Sequence, residues 1–494
     1  MQTIDQLQNG SDIRGVALAS KDSEPVNLTP EIAGRIAAAF VYWLKESKRI
    51  VSPRVCIGRD SRLSGEALSD GIVRGLRSQS AQVFDFGLAS TPAMFVCTKP
   101  ETLNADGAIM ITASHLPFNR NGMKFFVKEG GLDKSEIKQI LKFVEILQSN
   151  NYVDNSFRKL DYMSAYAESL VTYIREKTAE TKPLSGFHIL VDAGNGSGGF
   201  FVDKVLITLG ADTSGSVYLD PDGRFPNHVP NPENVEIMRD FGKIVVKEKA
   251  DLGIMFDTDV DRAALVDFDG TPIARNRLIA LISENILFEY PGSTIVTDSV
   301  TSASLKRFIE SRGGVHHRFQ RGYNNVIKEA KRLNAAGVDC ALAIETSGHC
   351  ALRENDFLDD GAFLVIKLLI LYTRLRKEGK TIAGVLSDYR EAAESLELRP
   401  KFIREDFKGY GVKLLADFEQ YVKKVPGWEL ELPNYEGVRV RCSKDAGDGW
   451  ALMRLSLHDP ELPINIESDA IGGAQIIKDK IIAFLSHYDV MLPE

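Results

Sequence analysis

The chain predicts an α/β protein made of repeated strand–turn–helix units, and three observations carry that expectation. Short apolar runs end in Gly or Asp and lead into helical sequence at Arg54–Asp60, Ile189–Asp192, Leu252–Asp257 and Thr294–Asp298. That recurrence is the grammar of α/β units with mixed or parallel sheets. The last hundred residues read differently, with period-two alternation near Glu436–Val440 and Trp450–Leu457, as in antiparallel strands. Composition agrees: 494 residues, 44% hydrophobic and 26% charged, describe an ordinary multidomain globular chain.

Individual elements follow from local chemistry. Thr29-Pro30-Glu31 combines a capping hydroxyl, a first-turn proline and an early acid, so a helix runs from there to about Ser47. A strand at Arg54–Ile57 leads to a helix beginning near Gly65-Glu66, and Val83–Phe86 is a further strand. Ala474 to Leu485 reads as a closing helix. The most apolar window, Phe363–Tyr372, carries Lys367 and falls far short of the ~20 residues that span a bilayer. A net charge of −8 provides no basic field for nucleic acid, so anionic ligands must be met by local cations. Five scattered cysteines without a C-x-x-C pair suit a reduced compartment. With no export signal at Met1–Gly10, a cytoplasmic location is expected, without membrane or nucleic-acid partners.

Chemistry concentrates in a few segments. In GAIMITASHLPFNRNGMKFF a buried strand, Ala108–Ile111, delivers Ser114 to a loop with His115 beside it and Lys124 soon after. Loops at the C-terminal ends of strands are where open α/β sheets bind ligands. In DTDVDR, Asp257, Asp259 and Asp261 alternate; in an extended segment they share one face and converge on a hard divalent ion. The EF-hand reading fails, because its sixth and twelfth positions here hold Arg262 and Phe268. A solvated acidic turn is the other reading. Gly194-Asn195-Gly196-Ser197-Gly198-Gly199 after a strand is a literal G-x-G-x-x-G, with Asp220 ending an expected next strand. Alone it suggests a dinucleotide; a close-packed strand-to-helix turn is the reading preferred here.

Four motifs in order resemble the α-D-phosphohexomutase family of phosphoglucomutases and phosphomannomutases. They are Asp12-Ile13-Arg14-Gly15; Thr112–Pro117 with Asn121–Lys124; Asp257–Arg262; and Glu345-Thr346-Ser347-Gly348-His349. The resemblance implies three similar α/β domains with mixed sheets (1–160, 161–272 and 273–390) and a smaller C-terminal α+β domain (391–494) around a central cleft. It implies Ser114 as a phosphoryl carrier and Mg2+ ligand together with Asp257, Asp259 and Asp261. Arg14 and Lys124 are then catalytic beside the phosphoryl group, with His349 as general acid/base on the strength of an ordinary pKa near neutrality. Glu345, Ser347, Arg262, His115 and Gly322 are carried over as substrate-binding. The family's C-terminal phosphate loop, R-x-S-[NG]-T-E-P, reads here Arg454-Leu455-Ser456-Leu457-His458-Asp459-Pro460, with Arg454, Ser456 and His458 as phosphate contacts. The activity so implied is interconversion of hexose 1- and 6-phosphates, of glucose and/or mannose. It runs through a phosphoserine and a 1,6-bisphosphate that also serves as activator. A metal-dependent sugar phosphatase and a weakly catalytic sugar-phosphate-binding regulator are the alternatives.

Overall fold

In the computed structural model the described residues are 4–20, 24–147, 156–404, 406–456 and 459–492. The chain forms two compact units, Met1–Ala274 with Ser347–Gly379, and Arg275–Thr346 with Lys380–Glu494.

The first unit holds two mixed sheets. In the larger, Gln8–Asn9, Asp12–Val16, Arg120–Val127, Gly107–Ile111, Arg54–Arg59, Gln82–Leu88 and Arg158–Lys159 lie side by side in that order. Gly107–Ile111, Arg54–Arg59 and Gln82–Leu88 run parallel, and Arg120–Val127 runs antiparallel to Gly107–Ile111. Helices Pro30–Lys48, Gly65–Ser78 and Lys134–Ile146 pack their apolar faces onto these strands, sharing a core that includes Phe40, Leu44, Ile57, Ile72, Ile109, Phe125 and Ile140. The expected cap forms: Thr29 Oγ1 accepts from the Ile32 amide at 3.2 Å.

The smaller sheet runs Pro272–Ile273, Ala263–Asp267, Leu252–Phe256, Ile189–Asp192. Its central hairpin, Leu252–Phe256 with Ala263–Asp267, carries the aspartate triplet at its tip. Two expectations are corrected here. The triplet lies in a turn rather than an extended segment, with Val260 in the left-handed region at φ 66°. Residues 211–220 form only single bridges, at Asp212 and Val217, so Asp220 does not end a strand.

Helix Gly361–Lys377 also belongs to the first unit and contains the apolar window. Its Lys367 is wholly buried and paired with Glu354 at 2.6 Å. No helix among the described residues is long and apolar enough to cross a membrane.

The second unit contains three parallel strands, Val315–Arg318, Thr294–Thr297 and Cys340–Ile344. It also contains the antiparallel sheet expected at the C-terminus, in the order Glu394–Leu398, Ile464–Ser468, Gly449–Met453, Val438–Cys442, Trp428–Leu430. Helices Phe407–Val422 and Gly473–Leu485 cover it through Phe418, Ile477 and Phe484. The Arg439 guanidinium, 3.7 Å from the Trp450 ring centroid, donates to the carbonyls of Ser299 (2.8 Å) and Thr301 (3.0 Å). These bonds tie the C-terminal sheet to the loop after Thr294–Thr297.

Candidate active site

Ser114 stands where its strand ends, in the left-handed region at φ 49°. A non-glycine residue there costs of order 1–3 kcal/mol, so its surroundings must impose the conformation. Its amide donates to Thr112 Oγ1 at 2.9 Å. Its hydroxyl donates to Asp257 Oδ2 at 3.0 Å and accepts from Arg262 Nη2 at 2.9 Å. The serine hydroxyl therefore meets the metal-loop carboxylate and the arginine that follows the triplet, although 143 residues separate Ser114 from Asp257.

The three aspartates converge: one oxygen of each of Asp257, Asp259 and Asp261 lies within 4.8 Å of the others. All three are buried. Lys124, on the strand Arg120–Val127, reaches Asp259 Oδ2 at 3.1 Å and also pairs with Asp261 Oδ2. Arg262 pairs with Asp257 at 3.1 Å. Asp259 is further held by Thr91, whose hydroxyl donates to Oδ2 at 2.5 Å and whose amide donates to the Asp259 carbonyl at 2.8 Å.

The remaining oxygens, Asp259 Oδ1 and Asp261 Oδ1, are buried without a hydrogen-bond partner. Buried carboxylate oxygens are costly when unpaired. The residues therefore fit a hard divalent cation bound by oxygen. Burial, then the like charges of Asp261 and Asp259, push the Asp257 carboxyl well above the usual range. Burial acts in the same sense on Asp261, but Lys124 and His349 outweigh it and hold that carboxyl below the range.

The glycine-rich turn serves this loop. A Cβ on Gly196 would lie 2.7 Å from the Thr258 carbonyl oxygen, and the Ser197 amide donates to that same oxygen at 2.8 Å. The glycine allows the turn to press against the backbone of the metal loop, the packing use expected of it.

Two histidines flank the site. Arg262 Nη2 donates to His115 Nδ1 at 2.8 Å, which requires a neutral ring at that nitrogen. Loss of hydration at the ring, then the charge of Arg262, pushes the His115 pKa well below its ordinary value. His349 Nδ1 lies 2.6 Å from Asp359 Oδ2 and 3.9 Å from Asp261 Oδ1. Burial disfavours its charge, but Asp359 and Asp261 outweigh burial and raise the pKa to about 9. This corrects the expected near-neutral pKa, because the ring is a cation at neutral pH. Arg14 donates to the Thr112 carbonyl at 3.1 Å and pairs with Asp12 at 2.8 Å, which sets it against the serine strand.

Ser114, His115, Lys124, Asp257, Asp259, Asp261, Arg262, Ser347, His349 and Arg14 thus all belong to the first unit. Ser347 Oγ is buried without a partner. Glu345, Gly322, Arg454 and Ser456 belong to the second unit. There the Gly322 amide donates to Glu345 Oε1 at 2.6 Å, so this glycine orients the carboxylate through its backbone. Arg454 is buried, its Nε lacks a hydrogen-bond partner, and its paired carboxylate, Glu436, stands at 3.9 Å. Ser456 Oγ accepts from the Asp459 amide at 3.2 Å. His458 lies outside the described residues.

The sequence reading missed Asp60, Arg62, Thr91 and Asp359. Asp60 and Arg62 carry a faint signal, a charged pair at the end of a buried strand; Thr91 and Asp359 carry none beyond the first position of a short helix capped by Ser90 and an acidic doublet.

Comparison with known proteins identifies the family. Three consecutive segments match descriptions of phosphoglucomutase/phosphomannomutase α/β/α domains: domain I over residues 5–150, domain II over 164–270 and domain III over 274–391. The chain is similar to a phosphoglucomutase/phosphomannomutase of Thermococcus kodakarensis, 30% identical over 450 residues, covering 89% of this chain and 91% of that one. It is also similar to a phosphomannomutase/phosphoglucomutase of Pseudomonas aeruginosa, 29% identical over 468 residues, covering 94% and 95%. A crystal structure of a phosphoglucomutase/phosphomannomutase family protein from Burkholderia thailandensis superposes with a TM-score of 0.79 at 26% identity, covering 98% of each chain. The chain belongs to the phosphoglucomutase/phosphomannomutase family of α-D-phosphohexomutases.

Proposed function

We propose that this protein is a phosphohexomutase that interconverts hexose 1-phosphate and hexose 6-phosphate, of glucose and/or mannose. The observation that carries the reading is the setting of the Ser114 hydroxyl. It lies between the Arg262 guanidinium and Asp257, beside two buried carboxylate oxygens that accept no hydrogen bond.

Phosphorylated Ser114 gives its phosphoryl group to the free hydroxyl of the hexose monophosphate. The Ser114 O–P bond breaks, a sugar O–P bond forms, and the sugar hydroxyl gives up a proton while the Ser114 oxygen gains one. The 1,6-bisphosphate then returns its other phosphate to Ser114. Arg262 and Lys124, already aimed at Ser114 and the triplet, bind the transferring group, and Arg14 supports the serine strand. A phosphoserine brings a charge of about −2 next to three carboxylates. Asp257, Asp259, Asp261 and the serine oxygen would hold Mg2+, which when bound offsets that charge and stabilises the serine oxygen as a leaving group. The His349 ring, fixed by Asp359, is suited to proton transfer or to attracting phosphate. Glu345, a two-oxygen acceptor, suits adjacent ring hydroxyls, and Arg454 suits the second phosphate.

Purified protein incubated with Mg2+, glucose 1,6-bisphosphate and glucose 1-phosphate is expected to form glucose 6-phosphate without releasing inorganic phosphate. Stoichiometric phosphate release would instead identify a phosphatase. Bisphosphate binding without either product would identify a binding protein. Parallel assays with mannose and N-acetylglucosamine 1-phosphates define the sugar.

A further inference from the structure

We propose that Asp60 and Arg62 are positioning residues that hold Ser114 in its left-handed conformation from both sides of its peptide. The idea rests on the phosphotransfer reading above and concerns how the serine is presented. Arg62 is wholly buried at its side chain. All five of its N–H donors are taken, four of them by the serine loop. Nη2 donates to the carbonyls of Ser114 and of Leu116 (2.7 Å). Nη1 donates to the carbonyls of Pro117 (2.8 Å) and Arg120 (2.9 Å), and Nε to Asp60 Oδ2 (3.2 Å).

Asp60 completes the grip from the other side. Its Oδ2 accepts from the Thr112 hydroxyl at 2.7 Å, and Thr112 Oγ1 accepts from the Ser114 amide. The carbonyl of Ser114 is therefore fixed by the arginine, and its amide by the aspartate through Thr112. The pair is itself fixed. Asp60 Oδ1 accepts from the Arg62 amide at 3.0 Å, and the Phe225 ring centroid lies 5.2 Å from the guanidinium carbon. Gly223 seals the segment, because a Cβ there would lie 2.4 Å from the Ser61 carbonyl oxygen.

A filler of the fold would spend its donors on the sheet. Arg62 spends them on the carbonyls of Ser114 to Arg120, the loop that ends in Lys124's strand. A planar five-donor fork is required for this, and lysine, with three donors about one point, does not replace it.

The test compares Arg62→Lys and Thr112→Val with the wild type, using glucose 1-phosphate with Mg2+ and glucose 1,6-bisphosphate. For Arg62→Lys, kcat is expected to fall about 100-fold with KM within about threefold, since small misplacements of a reacting group act on kcat. Thr112→Val, which cuts the amide-side arm, is expected to lose about 10-fold in kcat with the same split. A purely structural role would lower the unfolding midpoint and leave kcat per folded molecule unchanged. That outcome in both variants, or a KM rise that accounts for the loss, overturns the proposal. If Arg62→Lys does not fold, Thr112→Val decides by the same criterion. A wild type that converts neither glucose 1-phosphate nor mannose 1-phosphate overturns the phosphotransfer reading itself; an active wild type with kcat-intact variants overturns only the positioning role.

Discussion

Arg62 and Arg454 are both buried arginines, yet they are finished to different degrees. Arg62 has a protein partner for every donor. Arg454 keeps a buried Nε without one, and Glu436 stands back at 3.9 Å. The carboxylates divide in the same way. Both oxygens of Asp60 are engaged, whereas Asp259 and Asp261 each leave one buried oxygen unmatched. Buried polar groups left open are expensive unless something completes them. Closed groups therefore mark the framework, and open groups mark where a ligand belongs. Changes at open groups should alter catalysis or binding, and changes at closed groups should act on geometry or stability.

The largest effect is expected at Ser114, whose hydroxyl no other group replaces. Ser114→Ala should reduce mutase turnover at least ~10⁴-fold, as losses of covalent nucleophiles do, while the fold persists. A coupled glucose 6-phosphate assay and circular dichroism measure the two quantities. Turnover near the wild-type level would remove Ser114 from the chemistry.

Next come the open carboxylates. Asp261→Asn and Asp259→Asn should each lower kcat by ~10²–10³-fold and raise the Mg2+ concentration giving half-maximal activity. Chelation by EDTA should silence the wild type reversibly. An unchanged Mg2+ dependence in both variants would show that the open oxygens do not mark a cation site, and the comparison would break there.

Arg454 should give a smaller and different effect. A charge-assisted bond to phosphate contributes roughly 1.5–3 kcal/mol, so Arg454→Ala should raise KM for hexose phosphates by about 10- to 100-fold. The loss should fall mainly on KM, the reverse of the Arg62→Lys pattern. Equal behaviour of the two variants would deny the distinction between open and closed arginines.

How far the sequence alone reached follows the same line. The strand ends, the Thr29 cap and the motifs around Ser114 and Asp257 are local, so their residues and spacing expose them. The convergence of the triplet was legible, but its geometry was not: alternation suggested an extended strand, and Val260 instead turns the chain with positive φ. Thr91 was missed because its partner, Asp259, lies 168 residues away. Arg62 was missed because its task is to bind carbonyls, which any sequence supplies. The His349 pKa could not be read either, since Asp359 and Asp261 reach it only through the fold.

Closed groups that do not hold the serine loop should yield the smallest effects, on stability. Gly196→Ala places a Cβ 2.7 Å from the Thr258 carbonyl oxygen, and overpacking of this kind costs typically 1–3 kcal/mol, measurable by urea denaturation. The glycine turn should also show no thermal shift with NAD or NADP; a saturable shift would restore the dinucleotide reading.

Smaller still is the contribution of His228, whose Nε2 meets Asp192 Oδ2 at 2.9 Å while Asp192 Oδ1 accepts from the Gly194 amide at 2.9 Å. Burial works against the charged ring, but the hydrogen bond and charge of Asp192 outweigh it, so the pKa rises above its ordinary value. A group with a raised folded pKa adds its full stability below the unfolded pKa of about 6.5 and loses it as pH climbs through the folded value. Wild type minus His228→Gln, followed by urea denaturation from pH 5 to 9, should therefore show a difference that is largest at the acid end and fades towards alkaline pH. Turnover at fixed pH should stay near the wild-type level, because the pair closes on the protein itself. A stability difference that grows with pH would mean that His228 is neutral in the fold, and that Asp192 holds the glycine turn without it.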